Sequence, residues 1–168
     1  MLSKKMQDAL NEQVKIEGQS SQVYLAMASW AEIQAGINNI TAFFYRHSDE
    51  EREHMLKLIH FINDRGGFAT IPSFDQPQLT YPSLQHAFKE LLEHEIFVSN
   101  SINKLVDIAL EEKDYATHNF LQWYVAEQIE EEALARTIND KLELIGEDKG
   151  GLYLFDRDIL LLNVAEGK

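Results

Sequence analysis

The sequence predicts an all-α chain: a four-helix bundle with a long crossover loop between its second and third helices, plus a short C-terminal fifth helix. Apolar residues recur at alternating steps of four and three along four long segments, which is the period of one helix face. The only three prolines, Pro72, Pro77 and Pro82, all fall within GGFATIPSFDQPQLTYP, residues 66 to 82, and mark the one long loop. A chain of 168 residues buries roughly 70% of its unfolded surface as one domain, so a core is available without disulfides.

The first segment, about 4 to 34, places Leu10, Val14, Glu17, Ser21, Tyr24, Ala28 and Ala31 on one stripe. The second, about 39 to 65, gives Ile40, Phe44, His47, Glu51, His54, Leu58 and Phe61. The third, about 83 to 111, gives Leu84, Phe88, Leu91, Glu95, Val98, Ile102, Leu105 and Ala109. The fourth, about 115 to 145, gives Thr117, Leu121, Tyr124, Gln128, Glu131, Ala135, Ile138, Leu142 and Ile145. Each is about 40 Å long at about 1.5 Å per residue. Short links near Gly36 to Asn39 and near Lys113 make two antiparallel hairpins. Extended at about 3.3 Å per residue, residues 66 to 82 can run the length of the bundle. That crossover makes helices two and three parallel. Gly146, Gly150 and Gly151 are expected to end the fourth helix. LYLFDRDILLLN then forms a short apolar helix, about 153 to 163, that docks on its own bundle or on other subunits. Residues 1 to 168 are read as a single domain.

Composition narrows the chemistry. Fifteen Lys and Arg against 28 Asp and Glu leave a formal charge of −13, which repels nucleic acid and attracts cations. No stretch approaches the about 20 apolar residues of a membrane span, and MLSKKMQDAL lacks the apolar run of a signal peptide. A soluble, cytoplasmic protein is expected, with no nucleic-acid or membrane partner. The absence of cysteine removes thiolate nucleophiles, cysteine-type zinc sites and iron-sulfur clusters, leaving oxygen and nitrogen ligands.

Such ligands interrupt every stripe near its middle: Glu17, then Glu51 and His54, then Glu95, then Gln128 and Glu131. At about 100° per residue, the i, i+3 pairs Glu51/His54 and Gln128/Glu131 point the same way. Their heights agree too. Glu51 lies 12 residues after position 39 and Glu95 lies 12 after position 83; Glu131 lies 16 after 115 and Glu17 lies 17 before 34. Four carboxylates in one buried layer each cost several kcal/mol if ionised and unpaired. No lysine or arginine occupies these stripe positions, so two divalent cations are the economical counter-charge, and carboxylates with one imidazole suit iron or manganese. EEREH at 50 to 54 and EQIEE at 127 to 131 also set Glu50, Glu53, Glu127 and Glu130 on one shoulder of their helices. Glu53 and Glu132 are read as a solvated face; for Glu50, Glu127 and Glu130 an accessory cation site is the alternative to that reading.

NEQVKIEGQSSQVY, RHSDEEREHM, EHE at 93 to 95, FLQWYVAEQIEEE and GLYLFD together resemble the bacterial non-haem ferritins over essentially the whole chain. The resemblance implies that Glu17, Glu51 and His54 bind a first iron, with Glu51 bridging, and that Glu95, Gln128 and Glu131 serve a second. It implies a third iron position involving Glu50, Glu127 and Glu130, and an electron-donating role for Tyr24, which is equally readable as a core aromatic, as is Trp123. It further implies a hollow 24-subunit shell, with Fe(II) and O2 or H2O2 as substrates. Bacterioferritins have histidine where Glu131 stands and a haem-binding methionine where Arg52 stands, so no haem is expected; Met55 does not inherit that role. Gln128 is a weaker ligand than an imidazole, so the second iron is expected to be held more loosely and to move on to a mineral store. Asp114 and His118 are read as an ordinary exposed turn rather than as pore lining. The enzymatic alternative is a di-iron oxygenase or oxidase that retains its metals and acts on an organic substrate; a purely structural bundle is the non-enzymatic one.

Overall fold

The structure is a computed structural model that describes residues 1–162. Four long helices, α1 (Lys4–Glu32), α2 (Asn38–Asp64), α3 (Leu84–Glu111) and α4 (Tyr115–Ile145), precede a short α5 (Lys149–Asp158) and a 3-10 turn over Ile159–Leu161. No strand occurs among the described residues, and none of their helices is long and apolar enough to cross a membrane.

Side-chain caps explain several of the boundaries. Ser3 accepts the Met6 N–H at 3.0 Å and Ser83 accepts that of His86 at 3.1 Å, which starts α1 and α3. Asp114 does the same for α4 through the Thr117 N–H and also takes the Arg65 guanidinium, both at 3.1 Å. This residue is a capping group in an ion pair, while His118 is half-buried. Helix α5 begins at Lys149, about a turn earlier than the sequence suggested, because Asp148 accepts the Gly151 N–H at 2.7 Å. Gly146 alone closes α4, at φ +58, a conformation that disfavours side chains with a Cβ. Gly150 and Gly151 lie inside the first turn of α5. The expected end of that helix at 163 lies outside the described residues.

Helix α2 has no cap of its own. Its Ile40 N–H is taken at 2.9 Å by Asp156 of α5, from 116 positions away. Phe155 and Ile159 are buried beside it, so the C-terminal segment docks on its own bundle.

Contacts between helices give the topology. Tyr124 meets His54 and Phe61 meets Phe120, so α2 and α4 are antiparallel. Tyr24 meets Glu95 and Lys5 meets Glu111, so α1 and α3 are antiparallel too. Ser21 bonds Ser48 and Glu32 bonds Tyr45, which makes α1 and α2 antiparallel and therefore α2 and α3 parallel. The crossover between α2 and α3 is extended along α1. Side-chain amides two turns apart bracket it: Asn11 bonds Phe68 and Thr70, and Gln19 bonds Asp75 through both its N–H and its C=O. Phe74 lies over Gly18, where a Cβ would stand 2.4 Å from the ring.

The core is in two pieces. One cluster, with Tyr24, Phe43, Phe44, Phe88, Ile138 and Phe155, fills the end nearest α5. The other, with Met6, Leu10, Leu58, Ile62, Leu105 and Leu121, fills the opposite end. Between them lies a layer of buried polar side chains, as the interrupted stripes require.

Candidate metal centre

Helical phase brings the layer together. Glu17 of α1 (1% exposed), Glu51 (3%) and His54 (7%) of α2, Glu95 of α3 (0%) and Gln128 of α4 (5%) are all buried. Glu17, Glu51 and His54 form one group whose ligand atoms lie within 4.8 Å of one another. The His54 Nδ1 stands 3.4 Å from Glu51 Oε2 and 4.0 Å from Glu17 Oε2. Outer contacts hold these side chains in place. Gln13, itself buried, donates to Glu17 Oε1 at 2.9 Å, and the Tyr124 hydroxyl donates to the His54 carbonyl oxygen at 2.7 Å. Trp123 packs edge-on against the His54 ring at 5.1 Å.

The other side of the layer is arranged differently. Tyr24 donates its hydroxyl proton to Glu95 Oε1 at 2.8 Å, and Gln128 Nε2 donates to Glu95 Oε2 at 3.2 Å. Both oxygens of Glu95 are thus engaged, and Gln128 presents nitrogen rather than oxygen to it. Glu131 Oε2 lies 3.7 Å from Nε2 of His47, which is itself 3.8 Å from Glu50 Oε2.

The electrostatics show what the layer lacks. Among the described residues no lysine or arginine pairs with Glu17, Glu51 or Glu95, and Glu51 Oε2 is buried with no hydrogen-bond partner. Burial, then the charge of Glu51, holds the Glu17 carboxyl well above its ordinary range; burial, then Glu95, does the same to Glu51. Burial also raises Glu95, against the hydrogen bonds from Tyr24 and Gln128 that favour its anion. Glu131 is pushed up to about 8 by burial, with Glu95 adding to it. Carboxyls so raised either keep protons or take a cation. Oxygen-rich groups with one imidazole and an orphaned carboxylate oxygen fit a divalent transition metal.

The shoulder glutamates divide. Glu50, Glu127 and Glu130 line one cavity of about 520 Å³ together with Arg46 and Glu131. Glu53 is exposed, as a solvated face should be, whereas Glu132 is only partly exposed and accepts from Ser99 of α3 and from Arg136.

A model of the ferritin-like domain family matches residues 7–145. The chain belongs to the ferritin family. It is similar to the bacterial non-heme ferritin of Campylobacter jejuni, 45% identical over the full length of both chains. It is also similar to that of Escherichia coli O6:H1, 39% identical over 97% of this chain and 98% of the other. Among solved structures, the open pore ferritin of the archaeon Archaeoglobus fulgidus superposes with a TM-score of 0.92 at 42% identity, covering 96% of this chain and 99% of that one. In this ferritin the sequence pattern located the helix faces that build the polar layer but missed Gln13, which braces Glu17, and His47, which faces Glu131. His47 stood on the second stripe one turn before Glu51, which was the available signal. Gln13 stood one turn before Glu17 but off the stripe, without such a signal.

Proposed function

We propose that this ferritin stores and detoxifies iron, oxidising Fe(II) to Fe(III) at the buried centre and depositing the product as mineral inside a hollow assembly of its own copies. The supporting observation is the layer of raised, buried carboxylates that no lysine or arginine pairs with, including Glu51 Oε2, which has no hydrogen-bond partner. Glu17, Glu51 and His54 hold the first Fe(II), with Glu51 shared with the second; Glu95, Gln128 and Glu131 hold that second ion once Glu95 leaves Tyr24 and the Gln128 amide turns. Two Fe(II) each give up one electron, which reduces O2 to H2O2 with two protons, or H2O2 to water. Carboxylates stabilise the rising metal charge, and the protons that the cations displace from them are available to the reduced oxygen. Tyr24, hydrogen-bonded to Glu95, is placed to supply a further electron, which together with one from an Fe(II) at a third position would carry O2 to two waters with four protons in all. Product Fe(III) leaves past a third position at Glu50, Glu127 and Glu130 on the cavity wall. The family context supports an oligomeric shell, of 24 subunits in this reading, and a cytoplasmic setting.

The test is stoichiometry. Aerobic addition of Fe(II) far above two per chain should yield a soluble ferric particle whose mass rises with loading. Saturation near two per chain, with precipitate outside the protein, would point to a di-iron oxygenase instead. No observation in the structure favours that alternative.

A further inference from the structure

The glutamate-lined cavity carries a positive charge that the central layer lacks. Among the described residues Arg46 is the one lysine or arginine on its wall, which it shares with Glu50, Glu127, Glu130 and Glu131. A guanidinium does not lose its proton in a protein, so this charge is permanent.

Arg46 does not hold its neighbours as other arginines of the chain do. Arg65 grips both oxygens of Asp114 at 3.1 Å, and Arg136 donates to Glu132 at 2.7 Å. The Nε and Nη2 of Arg46 are buried but make no hydrogen bond, and the approach of Nε to Glu50 Oε1, one turn along α2, stops at 3.6 Å. Its guanidinium carbon lies 5.9 Å from the centre of the Phe43 ring. Burial lifts the Glu50 and Glu131 carboxyls above their ordinary range, and the Arg46 charge opposes that lift at both. The side chain therefore acts on these carboxylates through space without occupying their oxygens, which stay open to a metal ion.

The effect of that charge reverses when metal arrives. In the metal-free protein Arg46 offsets part of the mutual repulsion of four carboxylates. Once a cation sits on them, the same charge repels it. At about 6 Å in water-like surroundings, a unit charge weakens the binding of a divalent ion by about tenfold.

We propose that Arg46 is a built-in repulsive group that loosens the hold of the cavity carboxylates on metal cations, and so shortens the stay of iron on its way out of the bundle. It is a positioning residue, acting through Glu50 and Glu131 rather than on the reacting atoms. That the passing cation is iron rests on the function proposed above; the repulsion does not.

Two substitutions separate charge from shape: Arg46→Gln removes the cation and Arg46→Lys keeps one. Metal-free assemblies are titrated with redox-inert Zn(II) by calorimetry, and crystals soaked in Zn(II) show which ions lie in the cavity. Arg46→Gln should bind cavity Zn(II) about tenfold more tightly than wild type, a gap that narrows with added salt, and Arg46→Lys should stay near wild type. Unchanged or weaker cavity binding in Arg46→Gln overturns the proposal, as does Arg46→Lys behaving like Arg46→Gln. In the iron arm, a second aerobic pulse of Fe(II) should regain the first-pulse oxidation rate more slowly in Arg46→Gln than in wild type. Recovery at the wild-type pace also overturns it. A wild-type protein that oxidises no Fe(II) sinks the proposed function instead, and the Zn(II) arm still decides whether Arg46 repels. Should Arg46→Gln fail to assemble, Thr137→Lys adds a second cation at an exposed position on the same wall. It should weaken cavity Zn(II) and hasten recovery, and an unmoved affinity contradicts the proposal.

Discussion

The two halves of the buried centre are built from similar residues but differ in readiness. Glu17, Glu51 and His54 already converge, braced by Gln13 and by the Tyr124 bond to the His54 backbone. Glu95 is occupied on both oxygens, Gln128 presents its nitrogen, and Glu131 faces His47. The first half needs only to exchange protons for a cation; the second must also break hydrogen bonds. Under the function proposed above, the first half would hold its ion firmly and the second would hold its ion loosely.

The largest expected effect comes from dismantling the prepared half. Glu17→Ala or His54→Ala should slow the initial oxidation of Fe(II), followed by stopped-flow absorbance, by roughly 100-fold or more, beyond the 10–100-fold that loss of an outer partner costs. Wild-type rates in both variants would show that the convergence is incidental.

Next comes pH. Glu131 stands at about 8 against an ordinary 4.5. An acid raised by folding contributes stability that is fully present below about 4.5 and is lost as pH rises through about 8. Metal-free protein should accordingly melt at a lower temperature on the alkaline side of that window, as far as this group governs it. A cation in the second half must displace the same proton, so its affinity should rise about tenfold per pH unit up to about 8 and then level off. Anaerobic calorimetry in buffers of different ionisation enthalpy measures this, and a flat profile would mean that Glu131 is not a ligand.

Gln13→Ala should weaken the first ion by about tenfold, as outer-shell losses do, and leave the second nearly unchanged. Equal weakening of both would erase the distinction between the halves. Smallest of all, Tyr24→Phe frees Glu95 Oε1 from its hydrogen bond and should tighten the second ion severalfold in anaerobic titrations, since the net worth of a typical hydrogen bond is about 1 kcal/mol. A weakened second ion would show that Tyr24 orients Glu95 for the metal instead of competing with it.

Much of this was legible in the residues. The steps of four and three placed Glu17, Glu51, His54, Glu95, Gln128 and Glu131 on inward faces, and counting from the turns set them at one height. The proline-containing stretch announced the crossover. Less visible was the start of α5, which depends on Asp148 accepting the Gly151 N–H. Asp156 capping α2 is a contact between positions 116 apart, with no local signature. The partition of the shoulder glutamates was also hidden, since periodicity alone does not say that Glu50 has His47 and Glu131 as neighbours while Glu53 meets water.

By itself, the sequence determined the four helices, their antiparallel pairing and the polar layer across their middle, because about 100° of rotation per residue fixes where each Cα–Cβ bond points. Only the tertiary structure decided which oxygen meets which donor: that Glu51 Oε2 is left without a hydrogen bond while Glu95 is tied to Tyr24 and Gln128. Those outcomes depend on side-chain torsions and on how closely neighbouring helices approach, and both are set by packing across the whole bundle rather than by any local run of residues.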